Sequence, residues 1–322
     1  MKFLLLAILT ISSCREWKSE EEMVNYINKL RTTWRAQLYP KTSKPSLGAL
    51  LDSPYSIPEK TEFQTNENDL PTSYDLRDAY PDCKSLKEIR DQANCGSCWA
   101  FGAVESMSDR ICIKSKGKLQ TRVSAQYVVT CCTSCGYGCN GGYSDSAWIF
   151  WKKNGIPSGG LHGDKDTCLP YFLPECDHHT KGSHGDCPGT VDTPDCVEKC
   201  QDGYPIPLEE DKTYGEDYYS IRGEANIMKE IYENGSVEAS FTVYNDFLTY
   251  KEGVYQHTTG SYLGNHAIKI IGWGVTDDNV KYWICVNSWN NEWGEKGLFR
   301  ILKGSNECGI ENNINAGNPK LQ

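Results

Sequence analysis

The chain has 322 residues, of which 39% are hydrophobic, and this length predicts one large or two medium domains with a buried core. Asp and Glu number 43 against 33 Lys and Arg, which gives a net charge of -10. An acidic chain without a dense basic cluster is a poor candidate for binding nucleic acid. Sixteen cysteines are many for a reducing cytosol and indicate an oxidising compartment.

The N-terminus has the pattern of a signal peptide. Lys2 precedes an apolar run from Phe3 to Ile11, and the small residues Ser12 and Ser13 follow. The run is too short to span a bilayer, and no later run of 18 apolar residues exists. We therefore predict a signal peptide over residues 1–14, entry into the secretory pathway and no membrane span. A buried N-terminal helix is the alternative interpretation.

Residues 15–69 carry no cysteine, and residues 1–69 carry 9 basic and 9 acidic side chains, so the whole net charge of the chain lies on residues 70–322. Ser19 with Glu22 forms a capping-box pattern, which predicts the start of a helix. Apolar residues then recur at spacings of three and four and predict a helix over 19–38: Val24, Ile27, Leu30, Trp34 and Leu38. Four prolines in residues 39–69 predict an extended strap. A helix and strap before a cysteine-rich body is typical of a removable pro-segment, although a simple linker would share this composition.

From residue 70 onward the sequence predicts a compact α+β body. Helical stretches dominate residues 95–160. Residues 237–302 are rich in β-branched and aromatic residues and predict four strands, namely Val237–Tyr244, Ala267–Trp273, Tyr282–Trp289 and Gly297–Leu302. Residues 160–216 hold five cysteines, six prolines and four histidines without periodicity. We interpret this stretch as an irregular insertion held together by disulfides.

One cysteine lies in a context that favours chemistry. Cys98 precedes an apolar stripe at helical spacing formed by Ala100, Val104, Met107 and Ile111. It is therefore predicted at a helix N-terminus, where unpaired backbone N–H groups favour a thiolate and lower the thiol pKa. A thiolate is the useful nucleophile, whereas a disulfide is the ordinary fate of any one cysteine in this chain.

Three motifs carry a resemblance to a known family. Cys95–Trp99 matches the C-G-[SA]-C-[WY] signature, and Asn265–Ile268 and Asn287–Trp289 follow downstream. The chain resembles the papain-like cysteine proteases, most closely those of the cathepsin B group. The resemblance includes the pro-segment, where Val24–Asn28 and Thr32–Trp34 are similar to the family's propeptide.

The resemblance implies a proenzyme with a two-lobed α+β fold, in which a helical left lobe and a β-rich right lobe enclose the active site. The implied domains are a signal peptide at 1–14, an inhibitory propeptide at 15–69 and a mature peptidase at 70–322. The resemblance also implies an occluding loop near 176–187, a feature peculiar to cathepsin B. The implied activities are internal peptide cleavage and release of C-terminal dipeptides.

The resemblance also implies a role for each catalytic residue. Cys98 would attack the scissile carbonyl, and His266 would hold the thiolate as an ion pair and protonate the leaving amine. Asn287 would orient the imidazole, and Trp289 would shield that contact from water. The Gln92 amide and the backbone N–H of Cys98 would donate to the oxyanion. His266 and Asn287 lie 168 and 189 residues after Cys98, beyond the usual distance of about 130–150, and the cysteine-rich insertion accounts for the excess.

Substrate-binding positions follow from the same resemblance. Gly141 and Gly142 match the cleft wall, although an ordinary glycine loop is the alternative, and Ala267 follows the catalytic histidine. Asn313 matches the floor of the S2 pocket, where the family usually has an acid. An uncharged floor predicts poor acceptance of arginine at the substrate position P2.

The occluding loop carries its own expectations. His178 and His179 would bind the terminal carboxylate of a substrate. Matching positions pair Asp91 with His178, and Glu292 with His184, as the contacts that hold the loop. Adjacent histidines with flanking cysteines could also be a zinc site, but no ligand pair is repeated at zinc spacing, so we expect no metal and no cofactor.

The implied disulfides use twelve cysteines, in the pairs Cys83–Cys112, Cys95–Cys139, Cys131–Cys196, Cys132–Cys135, Cys168–Cys200 and Cys176–Cys187. Cys14, Cys98, Cys285 and Cys308 remain, and Cys285 is expected to be a buried inert thiol.

The expected partners are peptide and protein substrates, the chain's own propeptide and cystatin-type inhibitors. The destination is the lysosome or the exterior of the cell. A catalytically silent binding protein on the same scaffold is the rival hypothesis. Such proteins usually lose the nucleophile, which is present here.

Overall fold

The computed structural model describes residues 17–39, 46–61 and 69–321, so the predicted signal peptide and Cys14 lie outside the described residues. Seven helices lie within these ranges, namely α1 (Glu20–Leu30), α2 (Leu76–Ala79), α3 (Cys98–Lys114), α4 (Ala125–Cys131), α5 (Ser144–Asn154), α6 (Leu208–Asp211) and α7 (Glu224–Asn234). Eleven strands accompany them, namely β1 (Trp34–Ala36), β2 (Tyr74–Asp75), β3 (Tyr214–Gly215), β4 (Tyr219–Ile221), β5 (Val237–Tyr244), β6 (Tyr250–Tyr255), β7 (Tyr262–Val275), β8 (Lys281–Val286), β9 (Leu298–Leu302), β10 (Ile314–Ala316) and β11 (Pro319–Lys320).

The β-rich lobe is built on one sheet with the strand order β1-β6-β9-β8-β7-β5-β10-β4, to which β2 adds by pairing with β7. All its pairs are antiparallel except β6 with β9. The central strand β7 places His266 opposite Phe241 of β5. Because both neighbours of β7 are long strands with buried side chains, His266 is held on a rigid part of the sheet.

The helical lobe packs α4 and α5 around α3. The predicted stripe of Ala100, Val104, Met107 and Ile111 is buried in a core with the indole of Trp148. The opposite face of α3 is buried as well, because it packs on β5 and β7 of the other lobe. The first residue of α3, Cys98, therefore lies where the two lobes meet. The predicted α+β architecture is confirmed.

The pro-segment differs from its predicted form. The N-cap is confirmed, because the Ser19 hydroxyl accepts the backbone N–H of Glu22 at 3.2 Å. The helix ends at Leu30, however, and Arg31 adopts a left-handed conformation with φ 52°. Trp34, predicted on the helix, lies in β1, which pairs with β6. The helix predicted over 19–38 is thus wrong beyond residue 30, because pairing with the sheet edge replaces the last turns.

Six disulfides join described cysteines: Cys83–Cys112, Cys95–Cys139, Cys131–Cys196, Cys132–Cys135, Cys168–Cys200 and Cys176–Cys187. Cys98 and Cys285 are free and buried, and Cys308 is free and half-buried. None of the helices in residues 17–39, 46–61 and 69–321 combines the length and the hydropathy that crossing a membrane requires.

Candidate active site

Cys98 is fully buried between the pro-segment and the body of the protein. Its side chain has no exposed surface, and it packs against Ala49 of the strap and Ala267 of β7. The backbone N–H of Gly48 donates to the Cys98 sulfur at 3.3 Å. Burial raises the pKa of the thiol to about 11 and outweighs hydrogen bonds from the backbones of Ala267, Gly48 and Trp99. The lowered pKa expected from the helix N-terminus is therefore absent in this strap-covered form, since the strap removes the water that would stabilise the charge.

His266 and Asn287 form a buried pair between β7 and the residue that follows β8. The Nε2 of His266 lies 2.7 Å from Oδ1 of Asn287, so the imidazole donates there. Burial lowers the pKa of His266 to about 4, although the Asn287 bond opposes the shift. The ring centroid of Trp289 lies 4.9 Å from that of His266 and covers the pair. Nδ1 of His266 has no hydrogen-bond partner in the part of the chain that the structure describes. It is therefore available to exchange a proton with a group bound in the cleft.

Gln92 presents its side-chain amide to the strap. Its Nε2 donates to the carbonyl of Ser46 at 2.7 Å and to that of Cys95 at 2.8 Å. Its Oε1 accepts the hydroxyl of Ser288 at 2.7 Å, which fixes the orientation of the amide. A carbonyl oxygen that replaced that of Ser46 would meet the same donor.

The strap crosses the site in extended form and bonds to both walls of the cleft. Leu50 donates to the carbonyl of Gly142 at 2.9 Å, and Gly142 donates to that of Gly48 at 2.8 Å. On the other wall, Ala49 donates to the carbonyl of Asn265 at 3.2 Å. The strap thus uses the backbone contacts that an extended peptide would use.

The structure therefore brings the predicted wall residues Gly142 and Ala267 together at Cys98, and a Cβ added to Gly141 would lie 3.0 Å from the carbonyl oxygen of Gly48. Sequence analysis missed Gly48 and Asn265, although the short apolar run Leu47–Leu51 was a signal for a segment that packs in the cleft.

His178 holds the loop between Cys176 and Cys187 to the body of the protein. Its Nε2 lies 2.6 Å from Oδ1 of Asp91, and its ring stacks on Trp289 with an interplanar angle of 11°. Asp91 also accepts the backbone N–H of Cys176 at 2.9 Å. Burial alone would raise the pKa of Asp91, but the charge of His178 and these hydrogen bonds hold it below its usual value.

The other two histidines of the loop lie in different surroundings. His179 is buried against Trp289, and burial followed by the charge of His178 lowers its pKa to about 3. It is therefore neutral in this form of the protein. His184 lies 3.9 Å from Glu292, its predicted partner, and 3.7 Å from Glu175. The Glu292 carboxylate also accepts the backbone N–H and the hydroxyl of Ser183, at 3.0 and 2.7 Å. The ligand atoms of Cys176, His178 and Cys187 lie close enough for a metal, but the two sulfurs form a disulfide.

Asn313 lies half-buried on the wall of a 390 Å³ pocket beneath the strap. The pocket begins at Leu50, next to the residue that covers Cys98. The loop lies on the other side, where the Asn94 side chain donates to the carbonyl of Pro188 and accepts the hydroxyl of Ser46. The pocket and the loop thus lie at opposite ends of one cleft, and the strap runs between them.

Comparison with known proteins gives this arrangement a class. The papain family cysteine protease model matches residues 70–318, and the chain belongs to this family. The similarity is to its cathepsin B-like members. A cathepsin B-like cysteine proteinase of Schistosoma japonicum is 50% identical over 251 residues, which cover 77% of this chain and 73% of the relative. Cathepsin B-like cysteine proteinase 6 of Caenorhabditis elegans is 44% identical over 317 residues, which cover 94% of this chain and 83% of the relative.

Solved proenzyme structures share the fold. Procathepsin B S9 from Trypanosoma congolense matches with a TM-score of 0.81 and 34% identity, and the match covers 94% of this chain and 99% of that one. A digestive procathepsin L2 proteinase from Tenebrio molitor larval midgut matches with a TM-score of 0.68 and 23% identity. This match covers 94% of this chain and 88% of that one, and at this identity it supports the fold alone. The predicted papain-like fold with a pro-segment is confirmed.

Proposed function

We propose that the chain hydrolyses peptide bonds through an acyl-thioenzyme, with Cys98 as nucleophile. The observation that carries the proposal is the strap, a peptide backbone held across Cys98 by both walls of the cleft. A substrate in that position would present its carbonyl to the sulfur. Once the strap leaves, water can reach Cys98 and His266, and burial no longer opposes their charged forms.

Each step then has a residue to perform it. The Cys98 thiolate attacks the carbonyl carbon, and the Gln92 amide with the Cys98 backbone N–H receives the oxyanion. The imidazolium of His266 gives its Nδ1 proton to the leaving amine, which departs as the C–N bond breaks. Water then attacks the thioester, His266 takes its proton, and the acid product leaves Cys98 as thiolate. Asn287 keeps the Nε2–H of His266 oriented throughout, and Trp289 excludes water from that bond.

This proposal is tested by labelling and turnover on one preparation. The full chain is processed to remove the pro-segment, assayed on a fluorogenic dipeptide amide and treated with a thiol-reactive epoxide. We expect hydrolysis to stop as mass spectrometry locates one adduct on Cys98. Peptide binding without hydrolysis would instead support the silent binding protein.

Gln92 offers a graded test of the oxyanion site. Gln92→Ala removes one donor that the structure holds in place, so kcat should fall by about 10²–10³-fold while KM changes little. Steady-state kinetics on the dipeptide amide measure both values. Gln120→Ala, which changes an exposed glutamine, serves as the control. A fall confined to KM would show that Gln92 binds the ground state and not the oxyanion.

We further propose that the loop between Cys176 and Cys187 gives the enzyme its dipeptide-releasing activity. It closes the end of the cleft opposite the pocket, and the disulfide and the Asp91–His178 contact hold it there. In this role His179 would bind a terminal carboxylate beside His178, and its imidazolium would donate a charge-assisted hydrogen bond.

Substitution of His179 separates this activity from internal cleavage. His179→Ala should lower the rate of dipeptide release by about tenfold or more, the value of a charge-assisted hydrogen bond, and should affect internal cleavage far less. Both rates are measured on one preparation at acid pH, with exposed His162→Ala as the control histidine. Equal losses of both activities would remove the carboxylate-binding role.

The biological setting belongs to the same proposal. We assign residues 1–14 to a signal peptide, 15–69 to an inhibitory propeptide and 70–322 to the mature peptidase. The destination is the lysosome or the exterior of the cell, which suits the six disulfides among the described cysteines. Peptides, proteins and cystatin-type inhibitors are the proposed partners of the open cleft.

A further inference from the structure

The strap makes a second set of contacts outside the cleft, along an edge of the sheet. Strand β4 is the last in the strand order, and strap residues 58–60 lie along the edge that faces away from β10. The backbone N–H of Lys60 donates to the carbonyl of Ser220 at 2.9 Å, and the N–H of Ser220 donates to that of Pro58 at 2.9 Å. The strap therefore adds a short parallel strand to the sheet, which is how extended peptides bind exposed sheet edges.

The side chain of Lys60 reaches a buried carboxylate of the peptidase body. Its Nζ lies 2.8 Å from Oε2 of Glu230 on α7, whose side chain has no exposed surface. The same nitrogen lies 4.6 Å from the centroid of the Tyr219 ring. Since only 26% of the Lys60 side chain is exposed, water and salt screen this pair poorly. The contact should therefore contribute more than an ordinary surface ion pair.

Residues of the body hold the Glu230 carboxylate in place independently of the strap. Its Oε1 accepts the guanidinium of Arg110 at 2.9 Å and the hydroxyl of Tyr219 at 2.7 Å. Its Oε2 accepts the side-chain amide of Asn234 at 3.1 Å as well as the ammonium of Lys60. Burial alone would raise the pKa of Glu230, but Arg110 and Lys60 hold it below its usual value. The position of Lys60 is thus open to a cation when the strap leaves.

The residue before Lys60 adds a weaker contact of the opposite sign. Oε2 of Glu59 lies 3.5 Å from Nε of Arg222, and the two side chains are exposed. Such a pair contributes little energy. It favours one register, however, because a shift by one residue would put Lys60 beside Arg222. The edge of β4 is therefore complementary to an extended segment in which lysine follows an acidic residue.

We propose that the edge of β4 and the Glu230 carboxylate form a second binding site, separate from the catalytic cleft, whose occupant is the Glu59–Lys60 segment of the released propeptide. This rests on the inhibitory role proposed for residues 15–69. In the intact chain the covalent link to Leu70 keeps the segment beside its site, so the ion pair adds little there. Once the chain is cut near Leu70 that link is lost, and Lys60 determines how tightly the propeptide stays bound.

Dilution of the cut complex measures the second site. The full chain carries Cys98→Ala so that it cannot digest its propeptide, a fluorophore labels the N-terminus of the pro-segment, and a different protease cuts near Leu70. Fluorescence anisotropy on serial dilution gives the dissociation constant of the propeptide. Lys60→Met keeps the reach of the side chain without its charge and should raise this constant about tenfold or more, the usual value of a charge-assisted hydrogen bond. Lys29→Met changes an exposed lysine of α1 and should leave it unchanged.

A double-mutant cycle identifies the partner of Lys60. In a Glu230→Gln background, Lys60→Met should raise the dissociation constant less than about threefold, because the charge that Lys60 meets is gone. A tenfold rise in that background would overturn the proposal. If Glu230→Gln does not fold, Glu59→Gln replaces it, since both changes then lie on the strap. A loss from Glu59→Gln as large as that from Lys60→Met would overturn the role of the buried carboxylate.

The outcomes separate this inference from the function on which it rests. Equal dissociation constants for Lys60→Met and the unsubstituted pro-segment would overturn the second site, whatever the enzyme hydrolyses. The binding constants do not depend on turnover, because Cys98→Ala is used throughout. Failure of the processed chain with Cys98 intact to hydrolyse the dipeptide amide would instead refute the protease.

Discussion

Cys98→Ala should abolish peptide hydrolysis and leave the fold unchanged. The substitution removes one sulfur from a small cluster in which Ala49 and Ala267 are the neighbours, so little packing is lost. The rate should fall by at least about 10⁴-fold, since binding and the oxyanion donors alone leave only a small residue of catalysis. The variant cannot process itself, so a different protease must remove its pro-segment before the assay.

A second buried free thiol in the same chain supplies the control. Cys285 lies in β8, has no exposed surface and has a pKa that burial raises well above the ordinary value. Cys285→Ala makes the same chemical change far from the strap and should retain turnover. Circular dichroism and thermal melts compare the folds. Turnover by Cys98→Ala above the level of an inhibited wild-type sample would exclude Cys98 as the nucleophile.

The parts of the site that sequence could predict are local in the chain. The turn and apolar stripe around Cys98 predicted a helix that begins there, and α3 does begin at Cys98. Richness in β-branched and aromatic residues predicted β5, β7, β8 and β9 to within a few residues, except at the start of β7, which lies five residues before Ala267. These features depend on residues a few positions apart in the chain, and hydrophobic periodicity is measured over that distance.

The parts that failed depend on contacts between distant segments. Trp34 continued the helical spacing of the pro-segment, but pairing of β1 with β6, more than 200 residues away, set its conformation. The helix end at Cys98 predicted a lowered pKa, whereas burial by the strap raises it. Neither of these relations is visible in a local window of sequence.

Gly48→Val should convert the full chain from a covered to an accessible enzyme without cleavage of the pro-segment. A Cβ added to Gly48 would lie 1.8 Å from the carbonyl oxygen of Gly96, which belongs to the backbone beside Cys98. Neither backbone can yield at that distance, so the strap must leave its place. Water then reaches Cys98 and His266, and the burial that holds the thiol pKa near 11 and the imidazole pKa near 4 is lost.

Alkylation by iodoacetamide measures this change directly. At pH 7 a thiol with a pKa of about 11 is ionised to roughly one part in 10⁴, and only the thiolate reacts. The strap also blocks the reagent. We therefore expect Cys98 of the intact Gly48→Val chain to react at least about a hundredfold faster than Cys98 of the intact wild-type chain. The intact variant should also cleave dipeptide amides without removal of its pro-segment.

Gly189→Ala is the matched control, because a Cβ at Gly189 meets nothing within 4 Å. It should react as slowly as the wild-type chain. The pro-helix α1 and the pairing of β1 with β6 are untouched by the Gly48 substitution, so the variant retains its pro-segment and the change is local to the cleft. Equal alkylation rates in Gly48→Val and wild type would mean that the strap is not what silences Cys98. Inhibition would then have to come from the loop or from α1.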